Sequence, residues 1–171
     1  MKKLRLLGLT GLLLVITTTA RAQFSAGVGL DYGSEVEEVG LDLRAGFAIT
    51  EKATLAADFS FFNVDENGPF EKRRFWNDFN VNLNYYFLSS EEIVQPYGLV
   101  GLNITSVGVK YDDHPAFDDD REGDTELGVN FGGGLDIKAT ENLRPFAEVK
   151  YLIIDKYDQG AITVGLKYFF Q

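Results

Sequence analysis

The side chains that carry chemistry in this sequence are carboxylates and a few cations, and they occur in two settings. In the first they stand singly among small or polar residues. Asp31 follows Gly27 and Gly29, Asp42 and Arg44 lie between Gly40 and Gly46, and Asp58 precedes Ser60. Asp78 leads into Asn80, Asn82 and Asn84, while Glu126, Asp136 and Lys138 bracket a run of glycines. Glu148 with Lys150, and Lys167 after Gly165, complete the set. A spacing of two puts successive members on one side of an extended chain. Opposite charges on neighbouring strands would then form buried ion pairs that plug an interior, or line a gated pore or proton path.

In the second setting the acids are clustered. Residues 110–124 hold seven acids and the only histidine, His114, beside Asp112 and Asp113. A general base must be held within reach of its partner, and a histidine in such a loop reads as a solvated side chain. Asp118, Asp120 and Glu122, with Gly123 next, occupy the first, third, fifth and sixth places of a calcium loop. The twelfth place, which calls for a bidentate Glu, is Val129. The pattern is incomplete, so the segment reads as a solvated acidic loop that collects divalent cations weakly, and no cofactor is expected.

The elements that must hold these residues are strands. The last stretch, from Ile162, sets Ile162, Val164, Leu166, Tyr168 and Phe170 on one face against Thr163, Gly165, Lys167 and Phe169 on the other. The same division recurs seven times upstream: Phe24 to Tyr32, Val39 to Ile49, Leu55 to Phe62, Arg73 to Phe87, a strand following Pro96 to about Val109, Glu126 to Lys138, and Phe146 to Ile153. In the fifth strand Gly98, Val100, Leu102 and Ile104 are assigned outward, and Tyr97, Leu99, Gly101 and Asn103 inward. The breaks between strands are Gly33 to Glu37, Thr50 to Ala53, Asn63 to Lys72, Leu88 to Gln95, Lys110 to Asp124, Ala139 to Asn142 and Asp155 to Gly160. Counted from the turn midpoints, Arg44 falls near Asp58 and Glu148 near Lys167. No segment has a useful helical period.

The chain begins with Lys2, Lys3 and Arg5, runs through apolar residues from Leu6 to Ile16, and reaches Ala20-Arg21-Ala22. This is the pattern of a cleaved signal peptide, residues 1–22, leaving one domain over 23–171. A spanning helix needs roughly 20 apolar residues, more than this run offers. Losing the four basic residues of the leader leaves 12 basic and 26 acidic residues, a formal charge of −14. Such a chain has no electrostatic footprint for nucleic acid. With no cysteine there is no disulfide framework or thiolate metal site.

Alternation alone leaves open whether the apolar face points into a core or out to lipid. Three features favour lipid. The polar face is built of Gly, Asn, Asp and Ser, which suits a narrow barrel interior better than a water-facing sheet. Aromatics such as Tyr32, Phe75, Tyr85, Phe87, Tyr151, Tyr168 and Phe170 gather near strand ends, where membrane interfaces lie. With both termini on the periplasmic side, the two longest breaks fall outside. No charge interrupts the middle of the apolar face. The expected fold is an eight-stranded antiparallel up-and-down transmembrane β-barrel.

The leader, the eight strands, Pro96-Tyr97-Gly98-Leu99-Val100-Gly101-Leu102 and the aromatic final strand together resemble the bacterial outer membrane protein beta-barrel family, the small OmpA/OmpX-like barrels. The resemblance covers the whole chain after the leader. It implies an outer-membrane location and contact with outer-membrane lipid and lipopolysaccharide. It also implies insertion by the barrel assembly machinery through a C-terminal signal at Leu166, Tyr168 and Phe170, and a monomer. Here Gln171 follows the terminal aromatic, where the family's signal ends on the aromatic itself. The function expected is a structural or surface-interaction role with a plugged polar interior and acidic external loops. The alternatives are a narrow channel for ions or small apolar solutes and, third, a lipid-modifying enzyme, for which a single loop histidine is poor equipment.

Overall fold

The computed structural model describes residues 23–66, 72–89, 91–111, 123–155 and 158–170. Eight strands follow one another: β1 Phe24–Gly33, β2 Glu38–Ala48, β3 Ala53–Glu66, β4 Lys72–Tyr86, β5 Val94–Tyr111, β6 Gly123–Ile137, β7 Leu143–Ile154 and β8 Gln159–Phe170. Each is antiparallel to its sequence neighbours, and β8 pairs with β1 to close a barrel. The closing ladder runs from Phe24 opposite Phe170 to Gly33 opposite Ala161. Closure satisfies every strand edge around the wall, which an open sheet of this length could not do.

The alternation resolves as an inverted globule. Outward positions are large and apolar yet open to the surroundings, as with Val100 at 59% and Leu102 at 66% exposure. Inward positions are polar yet sealed, as with Asp42, Asn80 and Asn103 at 0%. The fifth strand has the expected register, with Tyr97 and Leu99 buried inside and Val100, Leu102 and Ile104 outside. On the outer face the apolar belt ends at a row of register partners, Asn77, Ser106 and Thr125.

Several strands are longer than the alternation suggested. β3 runs on to Glu66, β4 starts at Lys72, β5 reaches Tyr111 and β6 starts at Gly123, so the breaks at 63–72 and 110–124 are shorter. Beyond the belt, ladder bonds continue between backbones, with Asn63 opposite Phe75 and Asp65 opposite Arg73. The alternation of hydropathy in the sequence fades before the strand does. β5 also begins two residues before Pro96, at Val94, and Pro96 itself sits opposite Leu135. β8 begins at Gln159, which shortens the last turn.

The three short turns lie at the end that carries both chain termini, and each uses a Ser or Thr oxygen. Thr50 Oγ1 accepts from the Lys52 and Ala53 N–H groups at 3.2 and 3.0 Å, and Thr140 Oγ1 accepts from Leu143 at 2.9 Å. Ser89 O accepts from the Glu92 N–H at 3.1 Å. Such bonds let a chain reverse without leaving backbone donors unpaired. At the far end the β1–β2 turn closes through Glu37, whose N–H donates to Gly33 O at 2.8 Å with φ at 55°.

Glycine makes room for the interior. A Cβ at Gly132 would press on Val149 O and stand 2.7 Å from Lys150 Cα, backbone atoms that cannot swing aside. A Cβ at Gly160 would meet only the movable Ser34 side chain, at 3.3 Å. Gly132→Val is therefore expected to lower unfolding stability by about 1–3 kcal/mol, the usual cost of overpacking. Gly160→Ala should change it little. Urea midpoints of the folded barrel in lipid vesicles measure both.

Candidate functional site

The interior is one continuous set of polar contacts, and its members come from all eight strands. Asp31, Asp42, Asp58, Asp78, Asp136, Glu148, Lys150 and Lys167 are all buried inside, and the Arg44 side chain is nearly so. Glu126 and Lys138 are only half-buried, near the two mouths, Glu126 toward the far end of β6 and Lys138 just past its last residue. His114 and the calcium-loop residues Asp118, Asp120 and Glu122 lie outside the described residues, as does the leader. Leu166, Tyr168 and Phe170 face outward, with the Tyr168 and Phe170 rings edge-on at 5.1 Å.

Three cations organise the acids. Arg44 donates from Nε to Asp42 Oδ1 at 2.7 Å and from Nη1 to Glu148 Oε2 at 3.3 Å. Lys150 Nζ is 2.6 Å from Asp58 Oδ2 and 3.7 Å from Glu148 Oε1. Lys167 donates to Asp136 Oδ1 at 2.7 Å. Of the two placements counted from turn midpoints, that of Arg44 beside Asp58 holds in register and that of Glu148 beside Lys167 is corrected. Arg44 and Asp58 are register partners, but across so narrow a lumen long side chains reach past their neighbours, and Lys150 crosses from β7 to take Asp58. Glu148 stands opposite Thr163, not Lys167, because β8 begins earlier than the alternation indicated.

Neutral groups complete the shell of each charge. Asp58 also accepts from Asn80 Nδ2 at 2.7 Å and Asn82 Nδ2 at 2.8 Å. Asn80 Oδ1 in turn accepts from Asn103 and Asn130, both at 2.8 Å. Asp31 accepts from Ser60 at 2.6 Å and Thr163 at 2.9 Å. Asp78 accepts from the Thr105 hydroxyl, and from Trp76 Nε1 and Gln159 Nε2 at 3.0 Å each. Tyr97 donates to Glu148 Oε2 at 2.6 Å, and Tyr86 to Asp136 Oδ2 at 2.8 Å. Buried charges persist when paired and hydrogen-bonded in this way.

Phe146 crosses the lumen between them. Arg44 Cζ stacks 3.9 Å from its ring centre and Lys167 Nζ lies 4.8 Å away, a favourable placement of cations on an aromatic face. The ring needs Gly165 opposite it, where a Cβ would come within 2.7 Å of Phe146 Cε1. Sequence reasoning missed Arg144, which is 8% exposed inside the barrel. It donates to Gln95 Oε1 at 2.7 Å and lies 4.0 Å from the Phe169 ring centre. It shares parity with Phe146, so extending β7 by two residues would have found it. Gln95 and Gln159 were missed because they sat in segments read as loops.

A closed wall with lipid-type residues outside and ion pairs inside is the architecture of a membrane barrel. The sequence matches the outer membrane protein beta-barrel domain over residues 8–170. The chain belongs to that family. Among solved structures, this outer-membrane barrel is similar to the N-terminal barrel domain of Pseudomonas aeruginosa OprF, at 14% identity and TM-score 0.66, covering 89% of this chain and 100% of that one. It is similar to Pseudomonas aeruginosa OprG at 16% identity and TM-score 0.66, covering 88% and 96%. Ail of Yersinia pestis, solved in complex with the heparin analogue sucrose octasulfate, matches at 17% identity and TM-score 0.61, covering 87% and 97%. Identities this low speak for the shared fold. No curated protein matches the chain. The outer-membrane barrel thus has lipid on its outer face, and its ion pairs are shielded by its own wall.

Proposed function

We propose that this outer-membrane barrel serves as a structural and surface-interaction protein whose lumen is a plug, with its termini toward the periplasm and the β1–β2 turn toward the exterior. The observation that carries the reading is the pairing of the interior cations: Arg44, Lys150 and Lys167 each sit within 2.7 Å of a carboxylate. An eight-stranded barrel has an interior just wide enough for such side chains to fill it. Residues 1–22 act as the leader, and Leu166, Tyr168 and Phe170 as the mark read by the assembly machinery. The barrel works as a monomer among lipid and lipopolysaccharide.

The exterior rim carries exposed Glu35, Glu37, Glu38, Asp124, Asp155 and Asp158. Complementary charge steers association, so a partner met at this rim is cationic, in contrast to the polyanion held in the Ail complex. The acids at 118–122, in the segment between β5 and β6, would add weak divalent-cation binding. No reaction is assigned to it. Planar bilayers containing the purified barrel are expected to show no discrete conductance steps above the protein-free baseline. Reproducible steps would replace the plug with the narrow channel.

A further inference from the structure

Polar satisfaction is uneven along the lumen. Among the described residues, Arg44 Nη2, Asn82 Oδ1, Asn84 Oδ1 and Glu148 Oε1 are buried with no hydrogen-bond partner in the chain. All four residues line one cavity of about 20 Å³; Asn130 Oδ1, Arg144 Nε and Gln159 Oε1, also without a hydrogen-bond partner, lie outside its lining. The lining begins at Ser25, Gly46, Thr54, Tyr86 and Phe169, residues near the terminal ends of β1, β2, β3, β4 and β8. The cavity therefore runs from the periplasmic mouth inward to Arg44 and Glu148. For Asn82 the amide orientation follows from its donation to Asp58, which leaves the carbonyl oxygen as the open acceptor.

The other end differs in kind. Phe62, Trp76, Leu152, Ile154 and Ala161 are inward-facing, apolar and at most 6% exposed. They lie toward the exterior ends of β3, β4, β7 and β8. Phe62 fits against Gly40, where a Cβ would stand 2.7 Å from Phe62 Cδ1, and Leu152, Ile154 and Ala161 form one cluster. Gln159, the register partner of Leu152, is the polar member of this layer: its Nε2 donates to Asp78 at 3.0 Å and its Oε1 has no hydrogen-bond partner, one open acceptor where a water molecule needs two to four polar partners.

We propose that the periplasmic half of the lumen is a water-binding pocket entered from the periplasm, and that the apolar layer closes it to the cell exterior. Water fits the chemistry. It accepts from the Arg44 guanidinium and donates to the Asn82 and Asn84 carbonyl oxygens, and the volume holds about one molecule. A larger anion is excluded by Glu148 and Asp58, which share the lining. The barrel is then a half-open vessel, wet on the inner side and dry at the outer mouth. The assignment of sides rests on the orientation given above.

The chain has no cysteine, so single-cysteine variants of the full-length barrel, folded in vesicles, report access one position at a time. The probe is methanethiosulfonate ethylammonium, added to one side. Ser34→Cys, on the β1–β2 turn, reports orientation by itself and labels from outside. Thr54→Cys, at the mouth of the cavity, is expected to label at least about tenfold faster from the periplasmic side, the ratio set by a barrier of about 1.4 kcal/mol. Ser60→Cys, one inward position below Phe62, is expected to stay unlabelled from outside until Phe62→Ala is added. Equal labelling of Thr54→Cys from both sides, or outside labelling of Ser60→Cys with Phe62 intact, overturns the proposal. If Ser34→Cys labels from the periplasm, the orientation fails instead. A second measurement needs no variant. Water cross-relaxation at the Asn82 and Asn84 side-chain amides, with none at Asn103, supports the pocket, and the same signal at all three overturns it.

Discussion

Lys150→Met is expected to destabilise the folded barrel by about 3–5 kcal/mol, the cost of leaving one partner of a buried ion pair without the other. Lys150 is 2% exposed, and its Nζ lies 2.6 Å from Asp58. Removing it leaves Asp58 with two amide donors and no cation at contact distance. Asp58→Asn alone strands Lys150 beside the more distant Glu148 at 3.7 Å. The double variant Asp58→Asn/Lys150→Met removes both charges and keeps similar volume, so it should be clearly more stable than the two single losses predict together. Urea unfolding in lipid vesicles, followed by the fluorescence of the one tryptophan, Trp76, gives all four corners of the cycle. Simple additivity would show that Lys150 and Asp58 are neighbours without being partners.

Val100→Arg should cost about 2–4 kcal/mol, the depth-dependent penalty for a cation at the middle of a barrel's lipid face. Val100 is outward and 59% exposed, between Leu83 on β4 and Phe131 on β6. On a water-facing surface the same change would be nearly free, so this substitution separates lipid from solvent on that face. Asn77→Arg is the control at the edge of the belt, where the same principle gives about 0–1 kcal/mol. Equal effects at the two positions would mean that the apolar band has no depth, contrary to the row of Asn77, Ser106 and Thr125 that bounds it.

The period of two was legible wherever lipid and lumen impose opposite demands on alternate residues. That is why even the fifth strand could be placed correctly with Leu99 inside. Strand ends were less legible. At Asp65 and Arg73 the ladder continues, whereas the alternation of hydropathy in the sequence has ended. Gln159 was hidden for a related reason: a glutamine beside Asp158 and Gly160 reads as turn, although here it buries itself to hold Asp78. The charged residues of the lumen could be collected by parity, but not their partners. Register tells which Cα atoms are adjacent, whereas Arg44 and Lys150 are long enough to choose among several acids, and Phe146 decides where Arg44 lies.

The ladder between β1 and β8 joins residues nearly a chain length apart, from Phe24 with Phe170 to Gly33 with Ala161. During synthesis and export, therefore, the first strand waits for the last. Until Gln159–Phe170 arrives, any partial sheet exposes two open edges and a greasy face, the form most prone to aggregate. The order of events is thus imposed by connectivity. The polypeptide must be kept unpaired while it crosses the periplasm, and its lifetime there is a hazard that grows with every delay in delivering the twelve residues of β8.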